Sequence, residues 1–161
     1  MPRLKLQHEH DWNVTPQTAR QIQEHLRAQV RTTADLGSEW KTVAGVDVGF
    51  EQGGKITKAA VVVLDRVELT VLDRAVARRD TRFPYVPGLL SFRETPAILD
   101  ALKQIQTLPD LLLCDGQGLA HPRRFGLACH LGVLLDLPSV GVAKSRLTGN
   151  CCEPGVRKGQ W

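Results

Sequence analysis

Val43-Ala44-Gly45-Val46-Asp47-Val48-Gly49-Phe50 is the stretch on which the reading of this chain turns. Seven of its eight residues are glycine or apolar, the mark of a buried central strand, and the charged loop that opens at Glu51 bounds it. Asp47 stands out. A carboxylate in such a run costs several kcal/mol in lost hydration unless a cation meets it, so it calls for a lysine, an arginine or a metal ion. The competing reading is a strand-end Asp that caps a turn.

Outward from this strand, Glu51-Gln52-Gly53-Gly54-Lys55 is a glycine turn into a second apolar run over residues 59–64, which together signal a hairpin. Residues 67–77 alternate, with Val67, Leu69 and Val71 against Glu68 and Thr70, and predict a third, half-exposed strand. Arg82-Phe83-Pro84-Tyr85-Val86-Pro87-Gly88 carries two prolines and a glycine and must be a stiff loop. It leads through Leu89-Leu90-Ser91-Phe92-Arg93-Glu94 into a helix with Pro96 in its first turn and Ile98, Leu99, Leu102 and Ile105 inward. Leu111-Leu112-Leu113-Cys114-Asp115 is a short parallel strand ending in a second aspartate, followed by Gly116-Gln117-Gly118. His121-Pro122 is expected to open the next helix, which buries Leu127, Ala128, Leu131, Leu134 and Leu135, and residues 139–143 form the last strand.

Toward the N-terminus, Thr15-Pro16 is a helix opening, and Ala19, Ile22, Leu26 and Val30 predict one buried stripe on a helix over residues 16–32. Its Arg20, Glu24, Arg27 and Arg31 read as a solvated face. His8-Glu9-His10 reads as part of a solvated terminus and receives no role. The order from residue 43 on, β-β-β-α-β-α-β, predicts an α/β domain: a mixed sheet with helices on both faces. No internal repeat or low-complexity segment appears.

The chain has 161 residues, the length of one domain, able to bury about two-thirds of its extended surface. Lys plus Arg exceed Asp plus Glu by 21 to 17, which permits a polyanionic partner without requiring one. The clusters Arg78, Arg79, Arg82 and Arg123, Arg124 and Lys144, Arg146 say more than the total. Four cysteines without C-x-x-C spacing fit neither a zinc ribbon nor a disulfide framework, so free thiols in a reducing compartment are expected. With no signal peptide and no membrane-spanning run, a cytoplasmic monomer is the expectation.

Right-handed crossovers let the first strand pair with the fourth, with neighbouring strands about 4.8 Å apart. Asp47 and Asp115 then stand side by side at one rim of the sheet, where α/β proteins place their sites. Two carboxylates repel, and a divalent cation with oxygen ligands relieves this most directly. Mg²⁺ suits the role, with Mn²⁺ as an alternative, because it fills its other positions with water and phosphate; Glu94 supplies a third oxygen. Gly141-Val142-Ala143-Lys144-Ser145 is not a phosphate loop, Gly116-Gln117-Gly118 is not a dinucleotide fingerprint, and no G-x-S-x-G elbow occurs.

Four blocks carry a family resemblance: Gly45-Val46-Asp47-Val48-Gly49-Phe50; Pro84-Tyr85-Val86-Pro87-Gly88 with Ser91-Phe92-Arg93-Glu94; Asp115-Gly116-Gln117-Gly118 with His121-Pro122-Arg123-Arg124; and Gly141-Val142-Ala143-Lys144-Ser145. In this order, over residues 40–150, the sequence resembles endonuclease V, the deoxyinosine-specific nuclease. The resemblance implies a ribonuclease H-like fold and Mg²⁺-dependent nicking of DNA at the second phosphodiester 3′ of a deoxyinosine or other deaminated base. It implies Asp47, Glu94 and Asp115 as the metal cluster, and His121 and Lys144 as active-site residues near the scissile phosphate. Without that role, His121 reads as a helix cap and Lys144 as a strand-end surface lysine.

The Pro84, Tyr85, Pro87 and Gly88 loop matches the family's wedge, which enters the duplex where the damaged base leaves. A stiff loop of this kind holds its aromatic pre-ordered. Tyr85 packed on the surface is the plainer alternative. Gly116 and Gly118 allow backbone to approach a flipped base, and Arg93, Arg123 and Arg124 join the DNA-binding set. The family continues beyond the strand carrying Lys144, so a C-terminally truncated copy is expected, with its last helix missing, an apolar patch exposed, and residues 148–161 a loose tail. A non-catalytic nucleic-acid-binding remnant and an inosine-specific ribonuclease are the alternatives.

Overall fold

In a computed structural model the protein is described over residues 4–33, 37 and 39–160. The first three residues and Trp161, the ends of the expected polar N-terminus and tail, lie outside the described residues.

Strand β1 (Thr42–Glu51) runs through the deciding stretch and two residues past it. A 3₁₀ turn at Gln52–Gly54, with Gln52, Gly53 and Gly54 all at positive φ, folds it back into β2 (Ile56–Asp65). The two pair antiparallel over their whole length, from Thr42 opposite Asp65 to Glu51 opposite Ile56. Strand β3 (Val71–Asp80) follows antiparallel to β2. It begins four residues later than the alternation at Val67 predicts. The Asp65 carboxylate accepts hydrogen bonds from the Val67 and Glu68 amides (2.8 and 2.9 Å), and Leu69 takes positive φ, so local side-chain bonding makes a turn of these residues.

Helix α1 (Pro16–Arg27) starts as expected, with the Thr15 hydroxyl accepting from the Thr18 amide and Pro16 in the first turn. It stops well short of residue 32. A tight turn, with Val30 N–H donating to the Arg27 carbonyl, ends it and still lets Val30 pack with Leu26, Phe125 and Val133. Helix α2 (Leu90–Leu102) begins six residues before Pro96, so Glu94 lies within the helix and not at its entrance. Helix α3 (Leu127–Leu135) buries the five predicted residues. His121-Pro122 does not open it. Arg124 adopts positive φ, and Gly126, whose amide donates to the Gly118 carbonyl, caps the helix instead.

Strands β4 (Leu111–Asp115) and β5 (Ser139–Val142) run parallel to β1 and complete the order β3-β2-β1-β4-β5. Three antiparallel strands followed by α-β-α-β in this order form the ribonuclease H-like mixed sheet that the resemblance implies.

Among the described residues, the helices that pack on the sheet lie on one face and not on both. Ala44 and Val46 of β1 stand opposite Val63 and Val61 of β2 and beside Leu112 and Cys114 of β4, so all six share one face. That face is buried in a single core with Ile98, Leu102, Leu131 and Leu134, drawn from α2 and α3 alike. The alternate residues Gly45, Asp47 and Leu113 are exposed, and so are Val76, Val140 and Val142 on the same opposite face. Strand β1 is therefore buried on one side only. Its unbroken apolar run, expected of a strand covered on both sides, instead alternates core residues with glycines and one carboxylate. Residues 148–160 are exposed and carry neither helix nor strand. No helix among the described residues is long and apolar enough to cross a membrane, and all four cysteines are free.

Candidate active site

The hydrogen-bonded pairing of β1 with β4 ends at Val46 and Cys114, and the next residues on the two strands are Asp47 and Asp115. Both point away from the core, onto the open face, into a cleft of about 600 Å³ walled by Gly45, Ala60, Val62 and Leu113. Neither carboxylate is buried. Asp47 Oδ1 accepts from the Val48 amide (2.8 Å), and Asp115 Oδ2 accepts from Lys144 Nζ (3.1 Å). Lys144 follows β5, whose Val142 is the partner of Asp115, so the strand register brings this pair together. The Asp115 carboxylate in turn holds the Lys144 ammonium above its ordinary range.

Glu94 approaches from the covered side, on α2, and is only 7% exposed. Burial, then the charges of Asp115 and Asp47, push its carboxyl up to about 7, with Arg93 opposing. The three acids thus share one electrostatic neighbourhood. They do not yet form a ligand set: among the described residues, no three His, Cys, Asp or Glu side chains are gathered closely enough to hold an ion. Two of them project from one face of the sheet while the third reaches up from the helix beneath, and Lys144 occupies one oxygen of Asp115. The donor chemistry fits a hard divalent cation all the same, because the burial and then the repulsion that raise Glu94 are both offset by a cation or by a proton.

His121 does not line that cleft. It is buried, its Nε2–H donates to the Gly88 carbonyl (3.0 Å), and its Nδ1 accepts from the Arg123 amide (3.2 Å), which defines a neutral ring protonated on Nε2. Burial lowers its pKa, and the Arg123 charge adds to this against the Gly88 bond. Expected as an active-site residue, with a helix cap as the alternative, His121 caps no helix and is a strut beneath the 84–88 loop. Tyr85 at the tip is 73% exposed, with Pro84 and Pro87 exposed beside it, while Phe83 and Leu89 anchor the two ends in the core.

Of the expected DNA-binding arginines, Arg93 is committed internally. Its guanidinium donates to the Phe83 and Gly54 carbonyls (3.0 and 3.4 Å) and stacks on Phe50, so it braces the loop against the hairpin turn. Arg123 is half-buried and donates to Gly88 O (2.8 Å), whereas Arg124 is exposed. The Gly116 and Gly118 loop packs on β5: a Cβ on Gly141 would overlap Gly118 N and stand 2.7 Å from Gly116 O.

Two groups escaped the sequence reading. Gln23, which lies beside the predicted stripe of Ala19, Ile22 and Leu26 on α1, is buried and bonded to both Arg123 and Gly88. His10, assigned to a solvated terminus, donates from Nδ1 to the Asp11 carbonyl and accepts at Nε2 from buried His130 (2.8 Å), whose Nδ1 accepts from the Ser91 hydroxyl. Burial lowers the pKa of both rings. The only signal for Gln23 is its offset of four from Ala19 and of three from Leu26, which places it on the inner side. His130 lies inside an apolar helix, which marks it as buried.

The family model for endonuclease V matches residues 24–161. The chain is 54% identical to the endonuclease V of Nostoc punctiforme over 156 residues, which cover 97% of this chain and 71% of that protein. It superposes with a TM-score of 0.86 on the crystal structure of the endonuclease V of Streptomyces avermitilis, at 43% identity, covering 99% of this chain and 69% of that one. It is also similar to Ciona intestinalis endonuclease V, solved with a 24mer DNA containing an inosine followed by a ribo-adenosine. There the TM-score is 0.73 and the identity 33%, over 81% of this chain and 59% of that one.

Proposed function

The chain belongs to the endonuclease V family, and from that premise we propose that it is a metal-dependent endonuclease that nicks DNA at the second phosphodiester 3′ of a deoxyinosine. The observation that carries the reading is Glu94. A buried carboxyl on a helix, pushed up to about 7 by its burial and by Asp115 and Asp47, is an unstable arrangement for a purely structural purpose and a suitable one for a cation-binding site.

Asp47, Asp115 and Glu94 would hold Mg²⁺ or Mn²⁺, which supplies Lewis-acid neutralisation of a phosphodiester and a more acidic bound water. Lys144, exposed and poised on Asp115, donates a hydrogen bond and positive charge to a phosphate oxygen as negative charge builds on it. The open face admits a strand of nucleic acid directly onto the two aspartates. Tyr85, displayed between prolines with both loop ends anchored, enters the duplex and occupies the place the base has left. His121 acts through that loop, since its ring bonds to Gly88. Arg124 is the exposed cation of the 119–126 segment and is free to meet phosphate.

The test is cleavage of a duplex carrying one deoxyinosine, with Mg²⁺. A single nick is expected, lost in chelator and reduced at least about a thousandfold in Asp47→Ala. Asp47 lies on the exposed face, so the variant should keep the parent's unfolding midpoint. Binding without a nick under any divalent ion would sink the nuclease reading in favour of a non-catalytic binder. The ribo-adenosine that follows the inosine in the Ciona complex favours a second reading, a ribose requirement beside the nick. An otherwise identical duplex with one ribonucleotide in that place, cut faster than its all-deoxy counterpart, would establish it.

A further inference from the structure

The Gly88 carbonyl receives three side-chain donors at once: Arg123 Nη2 at 2.8 Å, His121 Nε2 at 3.0 Å and Gln23 Nε2 at 3.1 Å. A carbonyl oxygen has two lone pairs, so this one is bonded to capacity and beyond. Gln23 comes from α1, sixty-five residues away in sequence, and only 1% of it is exposed. Its Oε1 accepts from Arg123 Nε (2.6 Å), and its amide also reaches the Phe125 carbonyl (3.4 Å). Every polar atom of the side chain is therefore spent on Arg123, on the loop carbonyl and on the segment that leads into α3.

Packing alone does not ask for this. The same face of α1 buries Ala19 and Leu26 among apolar neighbours, and a leucine would fill the position without the cost of burying an amide. Gly88 itself has φ +77, and a Cβ there would stand 2.8 Å from Arg123 Nη2, so the backbone is drawn tight against the guanidinium. One residue on, the Leu89 amide donates to the Val86 carbonyl and closes the loop.

We propose that Gln23 is a positioning residue for the 84–88 loop: with Arg123 and His121 it clamps the Gly88 carbonyl and so sets where Tyr85 stands when the loop meets a duplex. This rests on the reading of that loop as a wedge. Helix α1, which by sequence is only a packing element, then belongs to the substrate-opening machinery. Order in the loop before binding lowers the entropy lost when Tyr85 enters the helix, so loosening the clamp weakens action on paired DNA more than on unpaired DNA.

Two measurements on Gln23→Met, which keeps the length and volume but makes none of these bonds, test the proposal. Hydrogen exchange should be at least about tenfold faster at Tyr85, Val86, Gly88 and Leu89, with β1 and β4 at parental rates. The ratio of nicking on an inosine duplex to nicking on the same inosine strand unpaired should fall about tenfold, with the loss in KM more than in kcat. Gln23→Glu, whose carboxylate still accepts from Arg123 Nε but cannot donate to the Gly88 carbonyl, should loosen the loop and lower the ratio in the same direction, and it carries the test alone if Gln23→Met does not fold. An unchanged ratio with unchanged loop exchange overturns the clamp, as does exchange that quickens everywhere. If the parent nicks neither substrate, the nuclease reading has failed, and the exchange experiment still decides whether Gln23 holds the loop.

Discussion

Glu94 shows at the scale of one residue how a site can work against the fold that carries it. Its carboxyl, ordinarily near 4.5, is pushed up to about 7 in the folded chain. Between these values the folded protein holds a proton that the unfolded chain has released, so stability falls as pH rises through this window and the full penalty stands above it. By linkage the penalty is about 3 kcal/mol. Glu94→Gln should therefore raise the unfolding free energy in chelator by up to that amount at pH 8, with the gain vanishing toward pH 4.5, while nicking is lost. Denaturant melts at the two pH values check this, and equal gains at both would show that charge is not the cause. Asp47, Glu94 and Asp115 were legible as candidates because a carboxylate inside or beside an apolar run is conspicuous in a linear sequence. Gln23 was not, since a glutamine on a helix ordinarily faces water and only its surroundings show otherwise.

Elements were read well where their signals are local. Strand β4 has the predicted limits, and α1 has its predicted start. Where boundaries moved, a bond from outside the pattern was responsible: the Asp65 carboxylate held residues 66–70 in a turn, and Gly126 took the cap that His121 was expected to provide. The contact between β5 and the 116–118 loop is a further case that no periodicity announces. Gly141→Ala would place a methyl against backbone atoms of Gly116 and Gly118, which cannot swing aside as a side chain would. A loss of about 1–3 kcal/mol is expected, read as a lower denaturant midpoint with unchanged slope. A midpoint equal to the parent's would mean that the loop is free to withdraw from β5.

At the scale of the molecule, the sheet is clothed on one side among the described residues. Helices α2 and α3 cover the Ala44 and Val46 face, while the other face presents Val76, Val140 and Val142 around the aspartate cleft. Exposed apolar surface of this kind invites association. Val76→Lys, on an exposed position opposite Ala60, should lower binding of a hydrophobic dye and concentration-dependent self-association while leaving the unfolding midpoint nearly unchanged. Sedimentation that is the same in both proteins would show that the face does not drive association.

The sequence by itself determined the strand and helix order, the parallel pairing of β1 with β4, and the adjacency of Asp47 and Asp115. Each follows from hydrophobic period, turn residues and the handedness of crossovers, which act over short stretches of chain. Only the tertiary structure decided which face of β1 is buried, and only it brought Gln23, Gly88, His121 and Arg123 to one carbonyl. His121 and Arg123 share one segment, but that segment, Gly88 and Gln23 are 33 to 100 positions apart, and nothing periodic links them, because their meeting depends on how α1 and the 119–126 segment dock against the loop.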